Sequence, residues 1–352
     1  MASALEGRRL LVVGGAGFVG SALVRRALAD GAESVVVVDN LLSSEPESLP
    51  SDPRVELRVA SIADDATLAA LEDTFDAVFH LATYHGNQSS IANPLADHDN
   101  NLITTLKLFE RLASFQRLDR VVYASTGCAL AQKTAGPRVP VVEDGPIPLD
   151  FDSPYQISKV AGEMYALYYH RQHGLPVVRA RFQNVFGPGE VLGAGRWRGT
   201  RHTIWRNVVP TFMYRALKGE QLELDGDGSA SRDFIYVDDV VEGLVLCAVA
   251  PATAGDVFNL ASGHEVTIRE LAQQVNDVAG NKAGIVVRPP RSWDRSINQV
   301  GDTEKSRRLL GFSAGVGLRQ GLEATAHWTS ANLEWIERCM DRHRDREFAE
   351  SE

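Results

Sequence analysis

The chain has 352 residues, of which 44% are hydrophobic and 23% are charged, and its formal net charge is -10. These fractions are typical of a globular protein with a substantial core, and the length allows one large domain or two ordinary ones. The acidic balance argues against a general nucleic-acid binder, although a few local arginines would suffice to bind a phosphate-bearing ligand.

The cysteines and the N-terminal residues point to a reducing compartment. Cys128, Cys247 and Cys339 are odd in number and far apart, which predicts neither a disulfide framework nor a metal site and favours the cytoplasm. The first seven residues lack the charged-then-apolar order of a signal peptide. The longest apolar stretch, Leu10 to Val24, contains four glycines and is too short to span a bilayer, so we expect no membrane span.

Apolar strands and helical segments alternate over the first half of the chain. Leu10–Val13 predicts a buried strand, Phe18–Ala29 has helical spacing, and Val35–Val38 predicts a second strand closed by Asp39. Further strand-like runs cover 55–59, 77–81, 121–124 and 177–181, and helical patterns cover 66–71, 102–112 and 155–171. This alternation predicts an α/β fold with a doubly wound parallel (Rossmann) sheet.

The regular alternation ends after Gly187-Pro188-Gly189, where an irregular loop rich in glycine, arginine and tryptophan begins. We therefore predict a first domain over 1–187, to which 235–262 returns, and a smaller mixed α/β substrate domain over 188–234 and 263–340. The remaining residues, 341–352, are mostly charged and predict a tail that frays from Arg342 onward.

The glycines between the first strand and helix predict a dinucleotide site. Gly14, Gly17 and Gly20 allow a tight turn and close approach to a pyrophosphate at the helix N-terminus. Asp39 follows at the end of the second strand, where a carboxylate binds the ribose hydroxyls and would repel a 2′-phosphate, which favours NAD over NADP. The residues expected to contact NAD are Gly14, Gly17, Phe18, Val19, Asp39, Asn40, Ser61, Ile62, Leu81, Ala82, Tyr155 and Lys159.

Tyr155 and Lys159 predict a catalytic pair. They are four residues apart in a helical pattern and therefore lie on one helix face. A positive charge beside a phenol favours the phenolate, which can accept a hydroxyl proton while hydride leaves the same carbon. Thr126, at the end of the strand before this helix, could hydrogen-bond the reacting oxygen. The alternatives are a core tyrosine beside a solvated lysine and a threonine that only caps its strand.

Taken together, these residues resemble the extended short-chain dehydrogenases, specifically the nucleotide-sugar epimerase/dehydratase group. The resemblance also includes Asn101, Arg181–Pro188 and Ser231–Asp239, and it covers nearly the whole chain. It implies that Asn184, Arg232 and Arg291 hold a nucleotide diphosphate, in keeping with the match between arginine forks and phosphate oxygens. His85 is expected to line the sugar pocket.

The residues after Thr126 bear on the sugar chemistry. Dehydratases of this group carry an Asp-Glu pair there, and its decarboxylases tend to carry a glutamate, whereas this chain has Gly127 and Cys128. The segment Tyr123–Cys128 is similar to GDP-mannose 3,5-epimerases, whose cysteine exchanges protons beside the keto group. Their lysine partner is replaced here by Thr203, with His202 adjacent. Cys128 could instead be a small buried residue lining the pocket.

We therefore predict an NAD-dependent epimerase of a nucleotide-diphosphate sugar that acts through a 4-keto intermediate, inverting carbon 4 in its simplest version. Alternatives are inversion of carbon 3 or 5 by Cys128 with His202, dehydration, a one-way NADP reduction, or a non-catalytic NAD-binding regulator. The resemblance also implies a homodimer that pairs helices, with which Leu102–Leu112 and Tyr165–Tyr169 are compatible.

Overall fold

The computed structural model of the protein describes residues 3–127, 139–295 and 298–349. The strands are β1 Arg9–Val13, β2 Ser34–Asp39, β3 Val55–Val59, β4 Ala77–His80, β5 Arg120–Thr126, β6 Val177–Phe182, β7 Asn184–Phe186, β8 Leu222–Asp225, β9 Ser231–Tyr236, β10 Val257–Leu260, β11 Glu265–Thr267 and β12 Ile285–Arg288.

Helices fill most of the intervals between the strands. They are α1 Phe18–Ala29, α2 Asp65–Ala69, α3 Asn87–Ala92, α4 Pro94–Asp97, α5 Thr104–Leu112, α6 Pro154–His173, α7 Val208–Leu217, α8 Val237–Val249, α9 Ile268–Ala279, α10 Glu304–Leu310, α11 Leu318–Ala331, α12 Leu333–Asp341 and α13 Arg344–Ala349. A π-helical segment, His98–Ile103, precedes α5, and short 3₁₀ turns cover Pro46–Ser48 and Arg201–Thr203. No helix within these described ranges is both long and apolar enough to cross a membrane.

Seven strands form one parallel sheet in the order β10-β6-β5-β4-β1-β2-β3. Successive residues of β1 and β2 pack into two different clusters: Leu10 and Val12 lie in one, and Leu11 and Val13 lie in the other. The sheet is therefore covered on both faces, which explains the continuous apolar runs. The predicted doubly wound parallel sheet is confirmed, and β10 belongs to it as the sequence suggested.

The strand order reverses between β1 and β4, which are neighbours although β2 and β3 intervene in the chain. Loops that follow these two strands consequently diverge and leave a crevice at the carboxyl edge of the sheet, where open α/β folds bind ligands. This reversal fixes the place of the site.

Two small sheets lie outside the large one: a three-stranded sheet, β11-β9-β7, and a two-stranded sheet, β12-β8. β7 begins two residues after β6 ends, yet it pairs with β9 and not with the large sheet. The proposed domain boundary at Gly187 stays a prediction, and the small sheets place the change of pairing just before it.

The predicted fraying from Arg342 is wrong for the first residues of the tail. Arg342 pairs with Glu45, and the ring of His343 is buried and hydrogen-bonds the carbonyl oxygens of Gly193 and Gly195 at 3.1 and 3.2 Å. α13 then continues to Ala349. His343, which lies within this charged segment, anchors the segment to the loop after β7.

Candidate active site

A single cleft of about 760 Å³ lies along the carboxyl edge of the large sheet and reaches the small sheets. It is lined by every predicted site residue that the structure describes. These are Gly14, Gly17, Phe18, Val19, Asp39, Asn40, Ser61, Ile62, Leu81, Ala82, His85, Thr126, Tyr155, Lys159, Asn184, His202, Arg232 and Arg291. Cys128, the remaining predicted residue, lies outside the described residues.

The glycine loop has no room for side chains at its two ends. Gly14 has φ +83°, and a Cβ there would lie 2.5 Å from the backbone nitrogen of Ala82, at the end of the neighbouring strand. A Cβ on Gly20 would collide with the carbonyl oxygen of Gly14. Gly17 caps α1 without a side-chain hydrogen bond, so the first N–H groups of this helix face the cleft as anion donors.

Asp39 links β2 to the glycine loop. One oxygen of its buried carboxylate accepts from the backbone N–H of Ala16 at 3.0 Å, and the other accepts from the N–H of Leu41 and the hydroxyl of Ser44, each at 2.9 Å. Burial raises the pKa of Asp39, against these hydrogen bonds, which lower it. The acceptor is thus fixed at the strand end, where a ribose would lie.

These features fit NAD. The glycine loop, which is crowded at Gly14, and the open N-terminus of α1 suit a pyrophosphate, and Asp39 suits an unphosphorylated ribose. Ser61 and Ile62 follow β3, and Leu81 and Ala82 follow β4, so both pairs border the same groove. The residues chosen from the sequence for the cofactor are therefore adjacent in space.

The α6 helix carries the catalytic pair into the cleft. It begins at Pro154 because the Ser153 hydroxyl accepts from the N–H of Gln156 and because proline suits the first helical position. Tyr155 and Lys159 lie on one face, with Nζ 6.0 Å from the centroid of the tyrosine ring. The Lys159 ammonium is buried and donates to the carbonyl oxygen of Ala124 at 3.0 Å, so β5 holds it in place.

A polar network beneath the cleft positions the loop after β4. Asn101, in the π-helical segment, accepts from the N–H of Tyr84 at 2.6 Å and donates to the carboxylate of Asp97 at 2.7 Å and to the hydroxyl of Ser158 at 3.4 Å. All four residues are buried. The network therefore ties this loop to α6 at Ser158, the residue before the catalytic lysine.

His85 lies at the end of that loop, against Tyr155. The two rings meet edge to face with centroids 6.0 Å apart. His85 Nε2 is 3.1 Å from the side-chain oxygen of Asn207, whose nitrogen in turn donates to Glu190. Burial lowers the pKa of His85 to about 4 and raises the pKa of Glu190 to about 7. Asn207 and Glu190 also line the cleft, and neither was predicted, because both lie in the loop without periodicity.

The far part of the cleft is rich in arginine. Arg232 pairs with Asp294 at 3.2 Å, and Arg291 pairs with Asp225 at 2.6 Å and lies over the ring of Trp293. Asn184 donates its side-chain N–H to the carbonyl oxygen of Asp233. The three residues implied for a diphosphate therefore share this wall with a partly buried aromatic ring, that of Trp293.

The arginine-rich loop before α7, residues 196–206, contains side chains that bond the backbone and side chains that line the cleft, and Arg206 does both. Arg198 and Arg206 turn inward and donate to backbone carbonyl oxygens, and burial lowers their pKa to about 10 and about 9. Arg201 and His202 face the cleft, and burial lowers the pKa of His202 to about 4. The Thr203 hydroxyl instead accepts from the N–H of Arg198 and is buried within the loop.

Comparisons with known proteins identify the family. Residues 10–261 match the model of the NAD dependent epimerase/dehydratase family, and the chain belongs to this family of extended short-chain dehydrogenases. The crystal structure of the Bordetella bronchiseptica enzyme WbmF in complex with NAD+ and UDP is 52% identical, with a TM-score of 0.88 over 99% of this chain and 100% of that chain. NAD is therefore the cofactor of this protein.

The curated relatives are named for different reactions. UDP-glucose 4-epimerase of Mycolicibacterium smegmatis is 34% identical over 91% of this chain and 98% of its own length. dTDP-glucose 4,6-dehydratase of Streptomyces niveus is 30% identical over 94% and 95%. Relatives of this family are enzymes acting on nucleotide sugars. Because their reactions differ, the residues of this chain's own cleft must indicate its reaction.

Proposed function

We propose that the protein is an NAD-dependent epimerase that inverts carbon 4 of a UDP-sugar. The observation that carries this proposal is the position of Tyr155 and Lys159. They lie in the same cleft as the glycine loop and Asp39, and this cleft extends to the arginines expected to hold a diphosphate.

The chain's own groups would do the proton work. Tyr155, as the phenolate, accepts the proton of the 4-hydroxyl, and the buried Lys159 ammonium stabilises that negative charge. Thr126, at the end of β5, aligns the reacting oxygen. NAD takes the hydride from carbon 4 and returns it. Between the two transfers the keto sugar turns over in the cleft, and Tyr155 then returns its proton to the opposite epimer.

The nucleotide is inferred to be uridine diphosphate. WbmF was crystallised with UDP, and several relatives are named for UDP-sugars. Arg232, Arg291 and Asn184 lie on the wall where a diphosphate would bind, and guanidinium forks match phosphate oxygens. Asp294 and Asp225 hold the two guanidinium groups in place.

We also infer a homodimer, formed through α6. Ile157, Met164, Tyr165 and Tyr168 are 53%, 57%, 37% and 49% exposed. Their spacing of seven, one and three residues places them along one side of the helix. An exposed apolar stripe of this kind is typical of a protein–protein contact. A second copy of α6 presents the same stripe, so the surface is complementary to itself about a two-fold axis.

A panel of UDP-, GDP- and dTDP-sugars, incubated with the holoenzyme in deuterium oxide, tests the reaction. The proposal predicts inversion at carbon 4 of a UDP-sugar without deuterium uptake, and its loss in Tyr155→Phe. Deuterium at carbon 3 or 5 would instead support the route through Cys128 and His202, and loss of water would show a dehydratase. Failure to convert any sugar, with NAD bound, would indicate a non-catalytic regulator.

A further inference from the structure

Glu190, Asn207 and His85 form a hydrogen-bonded chain that ends at the catalytic tyrosine. Glu190 is only 9% exposed and lies in the loop after β7, and Asn207 precedes α7. The Asn207 nitrogen donates to Glu190 Oε1, and the Asn207 oxygen is 3.1 Å from His85 Nε2. The His85 ring contacts that of Tyr155, and all four residues line the cleft.

The direction of each hydrogen bond follows from the carboxylate. Above its pKa of about 7, the Glu190 carboxylate can only accept, so Asn207 turns its NH₂ toward Glu190 and its carbonyl oxygen toward His85. A carbonyl oxygen also only accepts, so His85 must donate through Nε2. Because burial keeps the imidazole neutral at pH 7, it carries one N–H, and Nδ1 is left as a lone-pair acceptor.

We propose that Glu190 and Asn207 fix the Nε2–H tautomer of His85, so that Nδ1 accepts a hydrogen bond from a sugar hydroxyl on a carbon next to carbon 4. Among the residues that the structure describes, His85 Nδ1 has no hydrogen-bond partner, so it is available to a ligand. His85 would then determine specificity, and Glu190 and Asn207 would act as positioning residues.

The loop geometry supports a fixed acceptor. Arg198 donates to the backbone oxygen of His85 at 2.9 Å, which holds the main chain while the ring is held through Nε2. The assignment of the acceptor to the sugar rests on the proposed function, because it takes Tyr155 as the residue at carbon 4. The tautomer itself does not depend on it.

The tautomer can be measured without turnover. ¹⁵N spectra of histidine-labelled holoenzyme at pH 8.5, where Glu190 is ionised, should show a neutral His85 with a protonated Nε2 and a bare Nδ1. His85→Gln assigns the signals. Glu190→Ala removes the group that orients Asn207, and the Nδ1–H tautomer should then be populated. A protonated Nδ1 in the unmodified enzyme, or an unchanged tautomer in Glu190→Ala, would overturn the proposal.

Substrate discrimination is the second readout. We expect the enzyme to favour its UDP-sugar over the 3-deoxy analogue by at least about tenfold in kcat/KM. The analogue lacks the hydroxyl that donates to His85 Nδ1, and a polar atom left without its partner in the site carries a free-energy cost. His85→Phe and Glu190→Ala should reduce this ratio severalfold. Asn276→Ala, which removes a buried amide on α9 outside the cleft, should keep it. An unchanged ratio in both cleft variants would refute the role of His85, whereas a lack of all turnover would refute only the proposed function.

Discussion

A pair of glycine substitutions separates backbone strain from steric collision in the cofactor loop. Gly14 and Gly174 have similar positive φ angles, +83° and +70°. Only Gly14 is crowded: its Cβ would lie 2.5 Å from Ala82 N, whereas nothing lies within 4 Å at Gly174. Placing alanine in this backbone conformation costs about 1–2 kcal/mol, and forcing a methyl group against packed atoms adds about 1–3 kcal/mol.

Gly174→Ala should therefore lower the free energy of unfolding by about 1–2 kcal/mol, and Gly14→Ala by about 2–5 kcal/mol. Only Gly14→Ala displaces the loop, so it alone should weaken NAD binding, by tenfold or more, since tenfold corresponds to about 1.4 kcal/mol. Urea denaturation measures the first quantity and isothermal titration with NAD the second. Equal effects of the two variants on both measurements would refute the assignment of Gly14 to the cofactor.

Three further outcomes are expected. Tyr155→Phe should lower kcat by at least about 100-fold in a coupled epimerase assay while NAD still binds, since positioned proton transfer contributes about 10²–10⁴. Burial raises the Glu190 pKa from 4.5 to about 7, so folding should lose up to about 3 kcal/mol as pH rises between these values, and Glu190→Gln should flatten that part of the urea-denaturation profile. Met164→Glu should yield monomers in sedimentation analysis, and Val59→Glu, at an equally exposed apolar position on β3, should not.

The folded-state proton on Glu190 sets the sign of that pH effect. Between pH 4.5 and 7 the folded protein holds a proton that the unfolded chain has released, so stability is present at the lower pH and is lost as the carboxyl ionises in its buried site. If the free energy of unfolding of Glu190→Gln fell with pH as steeply as that of the unmodified protein across this range, Glu190 would not be the group responsible for the pH effect.

The core of the fold could be predicted because it depends on local signals. Buried parallel strands are largely apolar, so β1 and β2 stand out, and each is followed by a turn or a helix with its own spacing. The start of α5 was less predictable. The apolar pattern from Leu102 suggested one helix, whereas residues 98–103 are π-helical, and Asn101 within this segment bonds Tyr84 and Asp97.

The cofactor residues and Tyr155 could be predicted because short spacings place them on one turn or one helix face. Glu190 and Asn207 could not, since they lie 17 residues apart in a loop that has no period. Their roles arise only when the loop folds back onto the sheet and buries a carboxyl beside an amide. His343 escaped prediction for the same reason, because its partners, Gly193 and Gly195, are 150 and 148 residues away.

The most direct test of the central claim follows a deuterium atom placed on carbon 4 of the UDP-sugar substrate. If Tyr155 removes the hydroxyl proton while the nicotinamide holds the hydride, the product must be the carbon-4 epimer with its deuterium still on that carbon, even in ordinary water. Inversion that exchanges the label for solvent hydrogen, or a product changed only at carbon 3 or 5, would contradict the account.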